Sequence, residues 1–195
     1  RFPKNAYHFE IKIKEREVIR QVNKIIQCDT RQKRKHHERK EKYFIELGYK
    51  IINSKMLVGD YCIPSNGSVV VDTKADLSEL YGNLIQQHER FHNECVLAQE
   101  AGIKLYILIE NKDGIKCVDD VRNWKNPQMF RYYKARRLAK TNGQKEPKPP
   151  CSNVQLIKIM HSMTREYGVE FWFCKPQEAG AEVLRLLGVT ETVWE

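Results

Sequence analysis

The run Val69-Val70-Val71-Asp72-Thr73-Lys74 constrains this chain more than any other stretch of it. Consecutive β-branched residues are stiff at χ1 and suit an extended backbone, and an unbroken apolar run reads as a strand buried on both faces. A central strand is therefore expected here. Side chains two apart on a strand share a face, so Asp72 and Lys74 point one way while Val71 and Thr73 point the other. A buried strand thus ends in a carboxylate beside an ammonium. Burying charges is costly unless they are paired or hold an ion, which makes this strand end the place to look for chemistry. On spacing alone, an ordinary structural Asp-Lys pair is the other reading.

The elements around it follow from periodicity. Tyr7, Phe9, Ile11 and Ile13 alternate with polar residues and predict a strand with one buried face. Ile25-Ile26 leads into Cys28-Asp29. A charged stretch from Arg31 to Lys42, closed by Tyr43, Phe44 and Leu47 before Gly48, reads as a helix with a glycine stop. Strands follow at Lys50 to Asn53 and at Leu57 to Ile63, the latter carrying Asp60. Pro64-Ser65-Asn66-Gly67-Ser68 is a turn by composition, so its flanks form a hairpin that can bring Asp60 to Asp72. From Leu77 to Ala101, Leu80, Leu84, Phe91, Cys95 and Ala98 recur at helical spacing before Gly102, and Lys104 to Glu110 reads as another buried strand. Strand, helix, strand in that order implies a crossover and a partly parallel sheet. A helix over Asn153 to Tyr167, a strand over Val169 to Cys174 and a helix over Glu178 to Leu187 close the chain.

The fold class is accordingly α/β, a central mixed sheet flanked by helices. The 195 residues form a single domain, 1–195, with a basic insertion at about 112–150 bounded by Pro147, Pro149 and Pro150. A formal charge of +9 favours a polyanionic partner. The surplus is local: seven basic residues face two acids between Arg31 and Lys42, and ten face three between Lys116 and Lys148. The second stretch interleaves Trp124, Phe130, Tyr132 and Tyr133 with Arg131, Lys134, Arg136 and Arg137, a mixture suited to phosphate contact and base stacking. The alternative there is a solvated helix whose aromatics pack inward. The six cysteines are scattered singly and read as free thiols of a reducing compartment. With no apolar run of membrane-spanning length, an intracellular chain is expected: cytoplasm or nucleoid in a prokaryote or phage, nucleus in a eukaryote.

Two carboxylates and an amine at one strand end suit phosphodiester hydrolysis, since hard oxygen ligands such as Asp60 and Asp72 favour Mg²⁺ and Lys74 can offset charge in the transition state. Val58-Gly59-Asp60-Tyr61, Val70-Val71-Asp72-Thr73-Lys74 and Glu79-Leu80-Tyr81-Gly82-Asn83-Leu84 together resemble the XPF-type structure-selective nuclease domain, a branch of the PD-(D/E)XK superfamily with a restriction-endonuclease-like core. Ile26-Gln27-Cys28-Asp29-Thr30-Arg31 looks like that family's Val-Asp-x-Arg-Glu strand, and Arg90-Phe91 falls where it carries an Arg-Leu or Arg-Phe pair. The resemblance implies an endodeoxyribonuclease with Mg²⁺ or Mn²⁺ as cofactor and DNA, branched or flap forms included, as substrate. It implies Asp60, Asp72 and Asp29 as metal ligands, Lys74 as the catalytic lysine and Glu79 as a further acid. Arg31 and Arg90 would support the site or touch phosphate. Departures are Asp72-Thr73-Lys74 in place of Glu-Arg-Lys, Gln32 in place of the upstream Glu, and one extra residue between Lys74 and Glu79. No helix-hairpin-helix pair, the element with which many relatives dimerise, is visible, so a homodimer is left open.

Two rival readings come from other classes. A catalytically inactive DNA-binding or scaffold domain would share the fold without the chemistry. The sequence His88-Glu89-Arg90-Phe91-His92 spells HExxH, which on a helix can hold zinc for a protease, though no third ligand follows it on a neighbouring helix.

Overall fold

The computed structural model describes residues 24–31 and 34–189, with side chains from His37 onward in the second span. The strand expected over Tyr7 to Lys14 lies outside the described residues. Strands β1 (Ile25–Asp29), β2 (Lys50–Ser54), β3 (Tyr61–Ile63), β4 (Asn66–Lys74), β5 (Lys104–Glu110) and β6 (Glu170–Cys174) form a six-stranded sheet in the order β2-β1-β3-β4-β5-β6. β3 and β4 make the antiparallel hairpin that the Pro64 to Ser68 turn predicts, with Tyr61 opposite Val71. β4 pairs parallel with β5, and β5 parallel with β6. β1 is parallel to β2 and antiparallel to β3, so the sheet is mixed, as expected.

Helices cover both faces. α1 (Arg34–Glu46) and the C-terminal α6 (Ala179–Leu186) enclose a core of Ile26, Phe44, Tyr61, Val71, Leu108, Val183 and Leu184. On the other face, α2 (Leu77–Tyr81), α3 (His88–Glu100) and α5 (Asn153–Tyr167) bury Leu80, Leu84, Phe91 and Met160 against Val70, Leu105, Ile107 and Ile109. β4 is therefore sandwiched, and its alternating side chains feed one core or the other. The apolar residues of α5 recur at helical spacing, Ser152 and Gln155 make a capping box before it, and Gly168 at φ 68° ends it.

Two expected elements are interrupted. The strand over Leu57 to Ile63 is extended only from Tyr61. Leu57 is 55% exposed and Gly59 takes φ +64°, a left-handed conformation that a strand cannot hold. The single helix expected over Leu77 to Ala101 contains a π turn at Gly82–Gln86, where the Gln87 amide bonds Gly82 O at 2.9 Å instead of the carbonyl one residue nearer. Apolar periodicity could not detect it, because the turn leaves Leu84 facing the core.

The segment 112–150 divides in two. A 3₁₀ turn, Val118–Asn123, and Trp124 press into the larger core, where Val121 is fully buried and Trp124 stacks obliquely on Tyr81. Trp124 is thus a core residue, contrary to its expected place on a nucleic-acid face. The rest forms α4 (Pro127–Thr141), capped by Asn126, in which only Ala139 is buried.

Candidate active site

The C-terminal end of β4 carries the site. Lys74 Nζ lies 2.6 Å from Asp72 Oδ2, and both side chains are almost wholly enclosed. The shared face read from the alternation is therefore the one observed, and it is the face of α3: Lys74 also stands over the Phe91 ring, 5.7 Å from its centroid. The ammonium compensates the carboxylate's charge at close range, and among the described residues Asp72 Oδ2 has no donor besides Lys74.

The bend at Gly59 delivers Asp60 to the same place. Asp60 N–H donates to Val71 O at 2.9 Å, while Asp60 Oδ2 accepts from Thr73 N at 2.8 Å and Thr73 Oγ1 at 2.7 Å. The hydroxyl of Thr73 thus fixes the orientation of the neighbouring acid. Burial pushes the Asp72 carboxyl up to about 6, with the negative charge of Asp60 adding to the rise and Lys74 opposing it. Burial works against protonation of Lys74, yet the charges of Asp72 and Asp60 outweigh it and hold the ammonium firmly charged.

Glu94 is the member that local patterns did not indicate. It projects from α3, and its Oε1 accepts from Gly59 N at 2.9 Å, tying the helix to the bend that carries Asp60. Burial and then the charge of Asp72 raise its carboxyl above the usual range. The only sequence signal is its position, three residues after Phe91 and four after Arg90, on the helix turn that faces the end of β4.

Asp29 and Glu79 occupy other roles. Asp29 accepts from Arg31 N (2.6 Å), Arg31 Nη2 (2.6 Å) and Met56 N (2.9 Å). Burial opposes its ionisation, but these bonds hold the carboxyl below its ordinary value. Arg31 Nη2 also donates to Met56 O at 2.9 Å. Its guanidinium therefore clamps the loop before Asp60, although half the side chain remains open to solvent. Glu79 is exposed, accepts from Ala75 N at 2.7 Å and joins Asp76 in capping α2, with its charge still felt at Asp72. Arg90 is exposed on α3, one turn before Glu94.

Asp60 and Asp72 suit a hard divalent cation: their ligand atoms are carboxylate oxygens, one of them buried with no donor besides Lys74, and Mg²⁺ is commonly held by one or two carboxylates with water and phosphate completing the shell. Among the described residues no three His, Cys, Asp or Glu side chains converge as a ready-made metal cluster. Asp29, the third acid of the expected set, instead accepts hydrogen bonds from Arg31 and Met56. The HExxH helix is real, but His92 Nε2 is engaged by Tyr167 Oη at 2.7 Å and His88 and Glu89 face solvent.

A mixed sheet clothed by helices, with an Asp-x-Lys strand end opposite a Gly-Asp bend, is the arrangement expected of an XPF-type nuclease domain. A family model described as the ERCC4 domain matches residues 28–187, and the chain belongs to that family. XPF from Aeropyrum pernix superposes with a TM-score of 0.54 at 15% identity, covering 87% of this chain and 66% of that one. XPF from the same organism in complex with DNA superposes at 0.52 and 17% identity, covering 85% of this chain and 64% of that one. At such identities the likeness speaks for the fold, and the chain spans less than two thirds of those solved chains. Among curated proteins, none matches. No described helix is long and apolar enough to cross a membrane.

Proposed function

We propose that this chain is a metal-dependent DNA endonuclease working at the end of β4. The observation that carries the reading is the enclosed Asp72-Lys74 pair, in which Asp72 Oδ2 has no donor besides the Lys74 ammonium, beside an acid locked in place by Thr73. Asp60 and Asp72 would hold Mg²⁺ or Mn²⁺, which when bound supplies charge neutralisation at a phosphate and a more acidic water. Lys74 stays protonated and presents positive charge to the phosphate oxygens as negative charge builds on them. The low-dielectric pocket formed by Phe91 and the strand end strengthens that interaction. Thr73, Gly59 and Glu94 act as positioning residues that hold Asp60 at a fixed angle. Exposed Arg90 and the basic residues of α4 are suited to the DNA backbone, which supports steeply salt-dependent binding.

The test is cleavage of a panel of single strands, duplexes, flaps and four-way junctions in Mg²⁺, Mn²⁺ or EDTA, with Asp72→Asn and Lys74→Ala variants. Both variants are expected to lose cutting and keep most of their DNA affinity, since positioning contacts and chemistry reside on different residues. Retained cutting in both would refute the assignment. DNA binding by the parent without cutting in any metal would favour the inactive scaffold domain instead.

A further inference from the structure

Among the described residues the outer face of α4 is open, apart from the Tyr133 ring lying 5.4 Å from that of Tyr132 on the same helix. Residues 130, 133, 134, 137 and 138 recur at the spacing of one helical stripe, and all are exposed: Phe130 by 75%, Tyr133 by 56% and Leu138 by 60%, with Lys134 and Arg137 between them. The opposite stripe, Met129, Tyr132, Arg136 and Ala139, is the one that is covered. What covers it is the chain returning beneath: Gln144 N–H donates to Ala139 O at 2.8 Å, Glu146 pairs with Arg136 at 2.6 Å and Lys140 at 3.6 Å, and Pro149 and Pro150 share a pocket with Met129 and Ile85. The helix is thus braced from below, and its aromatic face is held outward by design of the loop rather than by fraying.

The character of that face selects its partner. α4 carries Arg131, Lys134, Arg136, Arg137 and Lys140 and no acid. Glu146 answers Arg136 and Lys140, while among the described residues no carboxylate lies within ion-pair distance of Arg131, Lys134 or Arg137. Exposed rings set among unpaired cations suit a polynucleotide whose bases are free: bases stack on rings, phosphates meet the cations. A fully paired duplex hides its base faces and could use only the charges. Trp124 and the α4 cap residue Asn126 connect this helix to Tyr81 of α2 and to Asn153 at the start of α5.

Building on the nuclease reading above, we infer that the outer face of α4 is a stacking platform for single-stranded DNA, on which Phe130 and Tyr133 carry unpaired bases and Lys134 and Arg137 the adjoining phosphates.

Fluorescence anisotropy of the full chain with a labelled dT oligonucleotide, an rU strand and a blunt DNA duplex of equal length tests this. Each stacked base contributes roughly 5-fold to 150-fold in affinity, so the double change Phe130→Ala/Tyr133→Ala should weaken dT binding by about 25-fold or more while duplex binding stays nearly unchanged. Lys134→Gln/Arg137→Gln should lower the slope of log affinity against log salt on dT by about 1.4. These side chains are exposed, so all variants should melt with the parent. Parent-like dT binding by the aromatic variant overturns the platform, as does an equal loss on dT and duplex, or tighter binding of rU. So does a dimer, seen by sedimentation, that the aromatic variant dissolves, because the face then belongs to a second copy. Parent-like dT binding by the aromatic variant with Lys74-dependent cutting intact removes only this inference; cutting that survives both Asp72→Asn and Lys74→Ala removes only the active-site assignment at the end of β4.

Discussion

Replacing Gly59 by alanine would strike the candidate site through its backbone. Gly59 holds φ +64°, and a Cβ built there would meet Val70 Cγ1 at 2.4 Å, Leu105 Cδ1 at 3.4 Å and Val71 O at 3.4 Å. The left-handed conformation alone costs an L-residue about 1–2 kcal/mol. Val70 is β-branched, 3% exposed and paired within the sheet, so it cannot swing aside cheaply, and overpacking of this kind adds about 1–3 kcal/mol. Together the change should destabilise the fold by roughly 2–5 kcal/mol, a large share of the stability of a domain this size. Urea unfolding, read as a shift of midpoint at constant slope, measures it. Because Gly59 N bonds Glu94 and the next residue is Asp60, cutting should fall even where the variant stays folded. A double-mutant cycle with Val70→Ala separates the two causes: removing Cγ1 relieves the clash and leaves the φ strain, so the pair should be less damaging than the sum. Unchanged stability of Gly59→Ala, or additivity within about 0.5 kcal/mol, would refute the steric argument.

Three further outcomes are expected. Glu94→Ala leaves the buried Gly59 amide unsatisfied and should cost about 1–3 kcal/mol in urea unfolding, whereas Glu94→Gln keeps an acceptor there and should be nearly neutral; equal losses would show that the hydrogen bond is not the reason. On the other face, Lys40 is 3% exposed and pairs with Glu110 at 2.5 Å, so Glu110→Ala strands a buried ammonium and should cost about 3–5 kcal/mol, with most of that recovered by adding Lys40→Met. Burial pushes the thiols of Cys28, Cys95 and Cys174 up to about 12, and since the thiolate is the reactive form, a thiol reagent near neutral pH should label exposed Cys117 first. Labelling of the buried three at a similar rate in native protein would contradict their enclosure.

Much of this architecture was legible locally. The β-branched run marked β4, alternation put Asp72 and Lys74 on one face, the Pro64 to Ser68 turn predicted the β3-β4 hairpin, and helical periodicity with a glycine stop marked α5. Such features depend on residues close in sequence, through side-chain period, propensity and turn chemistry, so the sequence by itself determined them. What only the tertiary structure decided depends on partners far apart in the chain. Glu94 reaches Gly59 across 35 residues, and Met56, 27 residues from Asp29, joins Arg31 in hydrogen-bonding that acid. Trp124 turned inward because Tyr81 and the core receive it, while Phe130 and Tyr133 stayed outward because the returning segment 142–150 fills the opposite side of α4. Local pattern can say which side chains share a face; which neighbour that face meets, and hence whether a charge is an ion ligand, a clamp or a cap, is set by long-range packing.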